Sequence, residues 1–297
     1  MDRKDIEQRL RNCPRLPSLG SINSALRELL NADSRDGARI SEVIRRDPSL
    51  TARLLRLVNS VYYGFDRRIR SVEEAVLYLG VRQIRQLATV TPIIEDFQRI
   101  AGRVPFPWRQ FWQHCIGTAI LTREILSSDR PTLDESDYLA GLIHDVGKIA
   151  MAAVFPAHFS EIQGRHASEP GDLLGIEVDV LGMNHAEIGA LYLEYHNLPE
   201  ALIEAVRFHH QPELAPQNPE LVAAVQLADA LTRHSNIGNS GNRGEVTFEN
   251  WVELSGWAIL YPHHASDELG FTRDNLDRKS TRLNSSHVAL SRMPSSA

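Results

Sequence analysis

Apolar residues in this chain recur at helical spacing in nearly every segment, and no run of convincing length alternates apolar and polar positions as a strand would. The best-marked case is Asp47-Pro48-Ser49-Leu50-Thr-Ala-Arg-Leu54-Leu55-Arg-Leu57-Val58. Asp47 can accept from the first-turn amides and Pro48 fits the first helical position. Leu50, Leu54, Leu55 and Val58 then fall on one face. Ser71-Val72-Glu73-Glu74 reads as a capping box for a helix through Leu79, which Gly80 ends. Ile84, Leu87 and Ala88 continue on a further helix. The spacing predicts an all-α protein, and 297 residues with 42% hydrophobic composition suffice for a substantial core in one or two packed units.

Within that helical pattern stands Gly141-Leu-Ile-His144-Asp145-Val-Gly147-Lys148. An imidazole nitrogen beside a carboxylate oxygen suits a divalent cation of intermediate hardness. Two groups cannot close a site, so others must come from distant points of the chain. His114 lies 30 residues upstream and Asp229 far downstream, each in an apolar segment of helical period, with His185 and the doublet His209-His210 between them. The chain therefore offers five His and two Asp for one site. Such a set suits one or two divalent transition metal ions such as Fe, Mn, Zn or Ni. Ions held there would polarise a phosphoryl oxygen and lower the pKa of a bound water, with Asp145 as the natural bridging group. Lys148 has two readings, a point charge that meets a phosphate or a solvated cation favoured near a helix C-terminus.

Charge is uneven along the chain. Lys and Arg against Asp and Glu give residues 1–100 a balance of +5 and residues 101–276 a balance of −14. The arginines of the first half, among them Arg45, Arg46, Arg53, Arg56, Arg67 and Arg68, could meet a nucleotide, a nucleic acid or an acidic partner. Solvated helix faces are the better reading, since no nucleic-acid fold signature accompanies them. Cys13 and Cys115 are too few for a disulfide framework, and the N-terminus is charged with no apolar signal region. A cytoplasmic protein without a membrane span is expected. Cys115 adjoins His114, but neighbouring helical residues point about 100° apart, and a packed thiol is expected there.

The motifs also carry a resemblance. The order His114, His144-Asp145, Asp229 resembles the HD superfamily of metal-dependent phosphohydrolases, which implies that these four positions ligate metal. His185 and His209-His210 fall where the similar HD-GYP cyclic-dinucleotide phosphodiesterases carry further ligands for a second ion. The chain departs from that group at Gln211-Pro212-Glu213, which replaces the Gly-Tyr-Pro loop, and at Gln110, where some of those enzymes place a Glu. Outside the HD half, Asp47-Pro48, Asn59-Ser60, Tyr63-Gly64, Ser71-Val72-Glu73-Glu74-Ala75 and Leu79-Gly80 closely resemble the HDOD family of bacterial signalling modules. Asn197-Leu198-Pro199-Glu200 adds to the match, which covers roughly residues 16–235.

The resemblance implies an HD-superfamily helical domain preceded by an N-terminal helical bundle. It further implies a cytoplasmic bacterial signal-transduction module that acts through contacts with signalling proteins. The alternative is a metal-dependent phosphohydrolase acting on a nucleotide or cyclic dinucleotide, with Asp145 and Lys148 in the reaction.

The expected organisation is a lead over residues 1–15, an N-terminal helical half over 16–100, the ligand-bearing half over 101–235, and a loop and short packed helix over 236–276. Residues 234–244, rich in Gly and Asn, read as a flexible loop. His263-His264 falls outside the ligand pattern. Residues 277–297 show no apolar period and their order looks like a translated sequencing adapter, so they are set apart from the fold.

Overall fold

The computed structural model describes residues 1–13, 37–45, 104–127, 136–168, 172–196, 198–242 and 253–262, with individual positions between 51 and 84. The Asp47-Pro48 helix start, the Tyr63-Gly64 turn, His263-His264 and the last 21 residues lie outside that set. The described residues contain helices and no strand, as the spacing predicts. None of their helices is long and apolar enough to cross a membrane.

The chain divides into two compact units, one made of Met1–Pro14 with Ile100–Ser280, the other built on Arg15–Arg99. In the second unit, helix α2 (Gly37–Arg45) contributes Ile40 and Ile44 to a core with Leu54, Val58, Ile69, Val72, Ala75 and Ile84, against which Leu55 packs. Leu54 and Val58 are the buried members of the face read from the sequence. Ser71 caps as expected, accepting from the Glu74 amide at 3.0 Å, while the Glu74 carboxylate reaches back to the Arg70 amide at 2.8 Å. Gly80 has a φ of +80°, the left-handed region that glycine adopts without a Cβ penalty. Arg45 forms an exposed ion pair with Glu73 at 3.0 Å, in keeping with a solvated face.

The first unit carries α1 (Arg3–Arg11), α3 (Trp108–Ser127), α4 (Ser136–Ile143), α5 (Val146–Val154), α6 (Pro156–Ser168), α7 (Leu173–Leu181), α8 (His185–Tyr195), α9 (Glu200–Phe208), α10 (Pro219–His234) and α11 (Ser255–Leu260). Two crossings organise it. α3 packs on α4 and α10, and α5 packs on α8, which in turn meets α9. Small residues bring the backbones close at both. A Cβ on Gly141 would lie 2.7 Å from the Ala119 Cα, and one on Gly147 would strike the His185 carbonyl. Gly189, one turn into α8, meets the Gly147 amide from the other side. The charged N-terminal lead is also part of this unit: α1 buries Ile6 and Leu10 and docks on α5 and α8, with Arg9 over Phe155 and Arg11 over Tyr195.

Candidate metal centre

The His144-Asp145 pair sits at the break between α4 and α5. Within one continuous helix the two side chains would diverge by about 100°, and the break lets both turn inward. Asp145 is the N-cap of α5, but its side chain makes no cap hydrogen bond. Its Oδ1 lies 3.1 Å from His185 Nε2 and 3.8 Å from His209 Nε2, and its Oδ2 lies 3.5 Å from His144 Nε2.

His185 is the first residue of α8, fixed there by a full capping box. The Asn184 side chain accepts from the Glu187 amide at 2.9 Å, and the Asn184 amide donates to Glu187 at 3.2 Å. The doublet closes α9, with His209 as the C-cap. The α3–α10 crossing, held by a Thr118–Thr232 hydroxyl contact at 3.3 Å, brings His114 Nε2 to 2.8 Å from Asp229 Oδ1.

The sequence candidates thus gather into two groups, His114 with His144 and Asp229, and His185 with His209 and His210. Within each group the donor atoms lie within 4.8 Å of one another, the distance range of a shared cation. Asp145 stands between the groups with an oxygen toward each. All seven side chains are buried except that of His210, which is partly so. His144 Nε2 and His209 Nε2 are buried without a hydrogen bond, while the Nδ1 atoms of the same rings donate to the Gly141 and Val206 carbonyls at 2.8 Å each. That fixes the tautomer and leaves both Nε2 lone pairs facing the centre. Unpartnered buried nitrogens beside carboxylates are what a metal site requires of its donors, and the residues present fit a divalent ion.

Electrostatics favour the same form at His144, His209, His210 and the two aspartates. Burial pushes His144 down, and burial together with His210 holds His209 well below the usual histidine range. Burial and His185 take His210 to about 3, so these rings are neutral near pH 7. Burial alone would raise the two aspartates. Lys148 and then His144 overcome it at Asp145, and Arg233 with His114 does so at Asp229, leaving both carboxyls well below their ordinary value. Burial would also depress His185, but the Glu177 and Asp145 carboxylates together outweigh it and raise this ring to about 9. Cys115 is a packed thiol, raised by burial.

Three features of the site differ from, or were missed by, the sequence reading. Lys148 is 1% exposed and bonds Asp145 Oδ2 at 2.7 Å, so it is no solvated cation. Residues 235–242 are no free loop: Asn239 donates to the Gln110 carbonyl at 2.9 Å, Ile237 lies against Gly117, and Gly238, at φ +67°, passes so close to the His114 amide that any Cβ would clash. The Gln110 side chain itself is exposed. Two supporting residues went unread, Glu177 behind His185 and Gln226, whose amide donates to the His210 carbonyl at 3.0 Å and accepts from Gly256 at 2.8 Å. A carboxylate on the apolar face that Leu173, Ile176 and Leu181 define was the available signal for Glu177.

The HDOD domain family model matches residues 16–212, six of the seven donors included. The chain belongs to the HDOD family. Its fold is that of an HDOD domain protein of unknown function from Geobacter sulfurreducens, with a TM-score of 0.74 at 23% identity over 98% of this chain and 99% of that one. A candidate phosphohydrolase from Shewanella amazonensis gives a TM-score of 0.68 at 24% identity over 96% of each chain. An uncharacterised protein of Treponema pallidum (strain Nichols) is 30% identical over 241 residues, 77% of this chain. The chain spans 44% of the length of that curated relative.

Proposed function

We propose that this HDOD domain is a signal-transduction module whose HD-type pocket binds one or two divalent transition metal ions, and that it acts through contacts with other proteins. What carries the metal reading is the convergence of oriented imidazole nitrogens on Asp145, with His144 Nε2 and His209 Nε2 buried and unbonded. The proposed donors are His114, His144, Asp145 and Asp229, joined by His185, His209 and His210. Imidazole and carboxylate together suit Fe, Mn, Zn or Ni. Modular use is supported by the Treponema relative, in which the matched stretch is less than half of the whole. A cytoplasmic setting is proposed with it.

A second reading, metal-dependent hydrolysis of a nucleotide or cyclic dinucleotide, is favoured by the position of Asp145 between the two groups. A bound ion would supply Lewis acidity and an acidified water. Against it stands Lys148, which is buried and committed to Asp145 at 2.7 Å rather than directed at an incoming phosphate.

The test is the metal content of the purified protein, by elemental mass spectrometry, beside a His144→Ala, Asp145→Ala variant. About one or two equivalents, lost in the variant, is the expected result, and an empty wild type despite metal in the medium would overturn the reading. Loaded protein that leaves nucleotides and cyclic dinucleotides intact supports the module. Turnover abolished in the variant would replace it with the hydrolase.

A further inference from the structure

Glu177 is a buried carboxylate, 1% exposed, that the donor pattern does not use. It projects from α7, and a single oxygen, Oε2, accepts two bonds from one residue: the His185 backbone amide at 2.9 Å and the His185 ring Nδ1 at 2.7 Å. Helix capping alone does not account for it, because the adjacent Asn184 already supplies a full capping box for α8. A buried charge is also a costly means of capping one amide. The other rings of the site point to a different role. His144 and His209 each donate Nδ1–H to a neutral carbonyl three residues earlier in the chain, whereas His185 donates to an anion brought from a separate helix. An anionic acceptor makes a stronger bond and increases the electron density at the opposite nitrogen. That opposite nitrogen, His185 Nε2, lies 3.1 Å from both Asp145 Oδ1 and His210 Nε2.

We infer that Glu177 is the positioning residue of the His185 group, fixing the His185 ring with Nδ1 protonated and making Nε2 the strongest neutral donor to an ion held there. The inference rests on the metal reading above for its consequence, but the ring geometry can be tested without metal. Glu177→Gln keeps the side-chain shape and an accepting carbonyl while it removes the charge. Glu177→Ala removes the acceptor altogether.

The experiment compares wild type, both variants and His185→Ala in two measurements: zinc affinity by competition with a chromophoric chelator, and proton–nitrogen spectra of histidine-labelled protein. In wild type the His185 Nδ1–H gives a far-downfield, slowly exchanging resonance, which moves upfield in Glu177→Gln and disappears in Glu177→Ala. Zinc binding at the His185 group weakens about 10–100-fold in Glu177→Gln, and the metal-free variant, though it loses a buried ion pair, keeps a cooperative thermal transition. Wild-type affinity in Glu177→Gln, while His185→Ala loses an equivalent, overturns the inference. So does a His185 ring resonance that is unaltered in Glu177→Ala. If wild type binds no zinc, the metal reading fails, and the resonance alone then decides whether Glu177 positions the ring.

Discussion

Gly147→Ala is the substitution that most directly probes why the site is where it is. Gly147 lies in the first turn of α5, where that helix crosses the start of α8, and an added methyl would fall on the His185 carbonyl and 2.9 Å from the Gly189 amide. Both obstacles are backbone, so no rotamer change relieves the clash. To restore the roughly 3 Å that real Cβ contacts require, α5 and α8 must part by about an ångström. Overpacking of this kind costs about 1–3 kcal/mol, and rigid neighbours put it at the upper end. The helical preference of Ala over Gly returns about 0.5–1 kcal/mol. The net expectation is a loss of about 2 kcal/mol, close to a 30-fold fall in the ratio of folded to unfolded protein.

Gly164 in α6 supplies the control, since nothing lies within 4 Å of a Cβ built there. Gly164→Ala carries only the helical term and should stabilise by about 0.5–1 kcal/mol. Urea unfolding followed by tryptophan fluorescence measures both, because all four tryptophans lie between residues 100 and 280 and report on that unit alone. A Gly147→Ala protein that unfolds at or above the wild-type midpoint would refute the close crossing and with it the geometry that sets Asp145 beside His185.

The other expectations follow from single contacts. Asp145→Ala leaves Lys148 buried and unpaired, costing the metal-free protein about 3–5 kcal/mol, and adding Lys148→Met should recover most of that in a chemical denaturation series. Gly238→Ala puts a Cβ against the His114 amide and the Gln110 carbonyl at a φ of +67°, so a loss of about 1–3 kcal/mol is expected by calorimetry, with weaker metal retention in the His114 group. Burial lowers the His185 pKa, and the Glu177 and Asp145 carboxylates together more than restore it, to about 9 from 6.5. Protonated His185 therefore stabilises the metal-free protein fully below about pH 6.5, and that contribution fades as pH rises through 9. Metal must displace the Nε2 proton, so zinc affinity at this group should climb from pH 6.5 to about 9, and a flat profile across that range would contradict it.

The helical class and the His144-Asp145 pair were legible because both are written locally. Leu54 and Val58 follow a 3.6-residue period, and a His-Asp pair next to Gly147 is recognisable as a string. The Asn184–Glu187 capping box has the same local character, since its partners lie three residues apart. Glu177 was hidden for the opposite reason: its partner is eight residues on, beyond the left-handed Gly182 and on another helix, so only the turn between α7 and α8 makes them neighbours. Lys148 stayed open between a phosphate contact and a solvated cation because helical position alone does not reveal that a face is covered on the far side, and its burial removes only the second. Residues 235–242 carry the composition of a loop, yet the glycine that suggests looseness is there to let the backbone pass close to His114.

These buried contacts also explain how so many charges share one interior. Asp145, Asp229 and Glu177 are three carboxylates out of water, and each has a cationic or imidazole partner supplied by the chain: Lys148 at 2.7 Å, Arg233 at 3.2 Å and His185 at 2.7 Å. Lys148 occupies Asp145 Oδ2, Arg233 occupies Asp229 Oδ2, and Oδ1 of each aspartate faces only imidazole nitrogens. One oxygen of each aspartate is thus paired with a cation of its own helix, and Oδ1 is left to the imidazoles of the pocket. A buried ion pair is weak evidence of net stability, but here each pair neutralises a carboxylate while leaving its Oδ1 toward the imidazoles, and Asp145 Oδ2, 3.5 Å from His144 Nε2, also faces the other group.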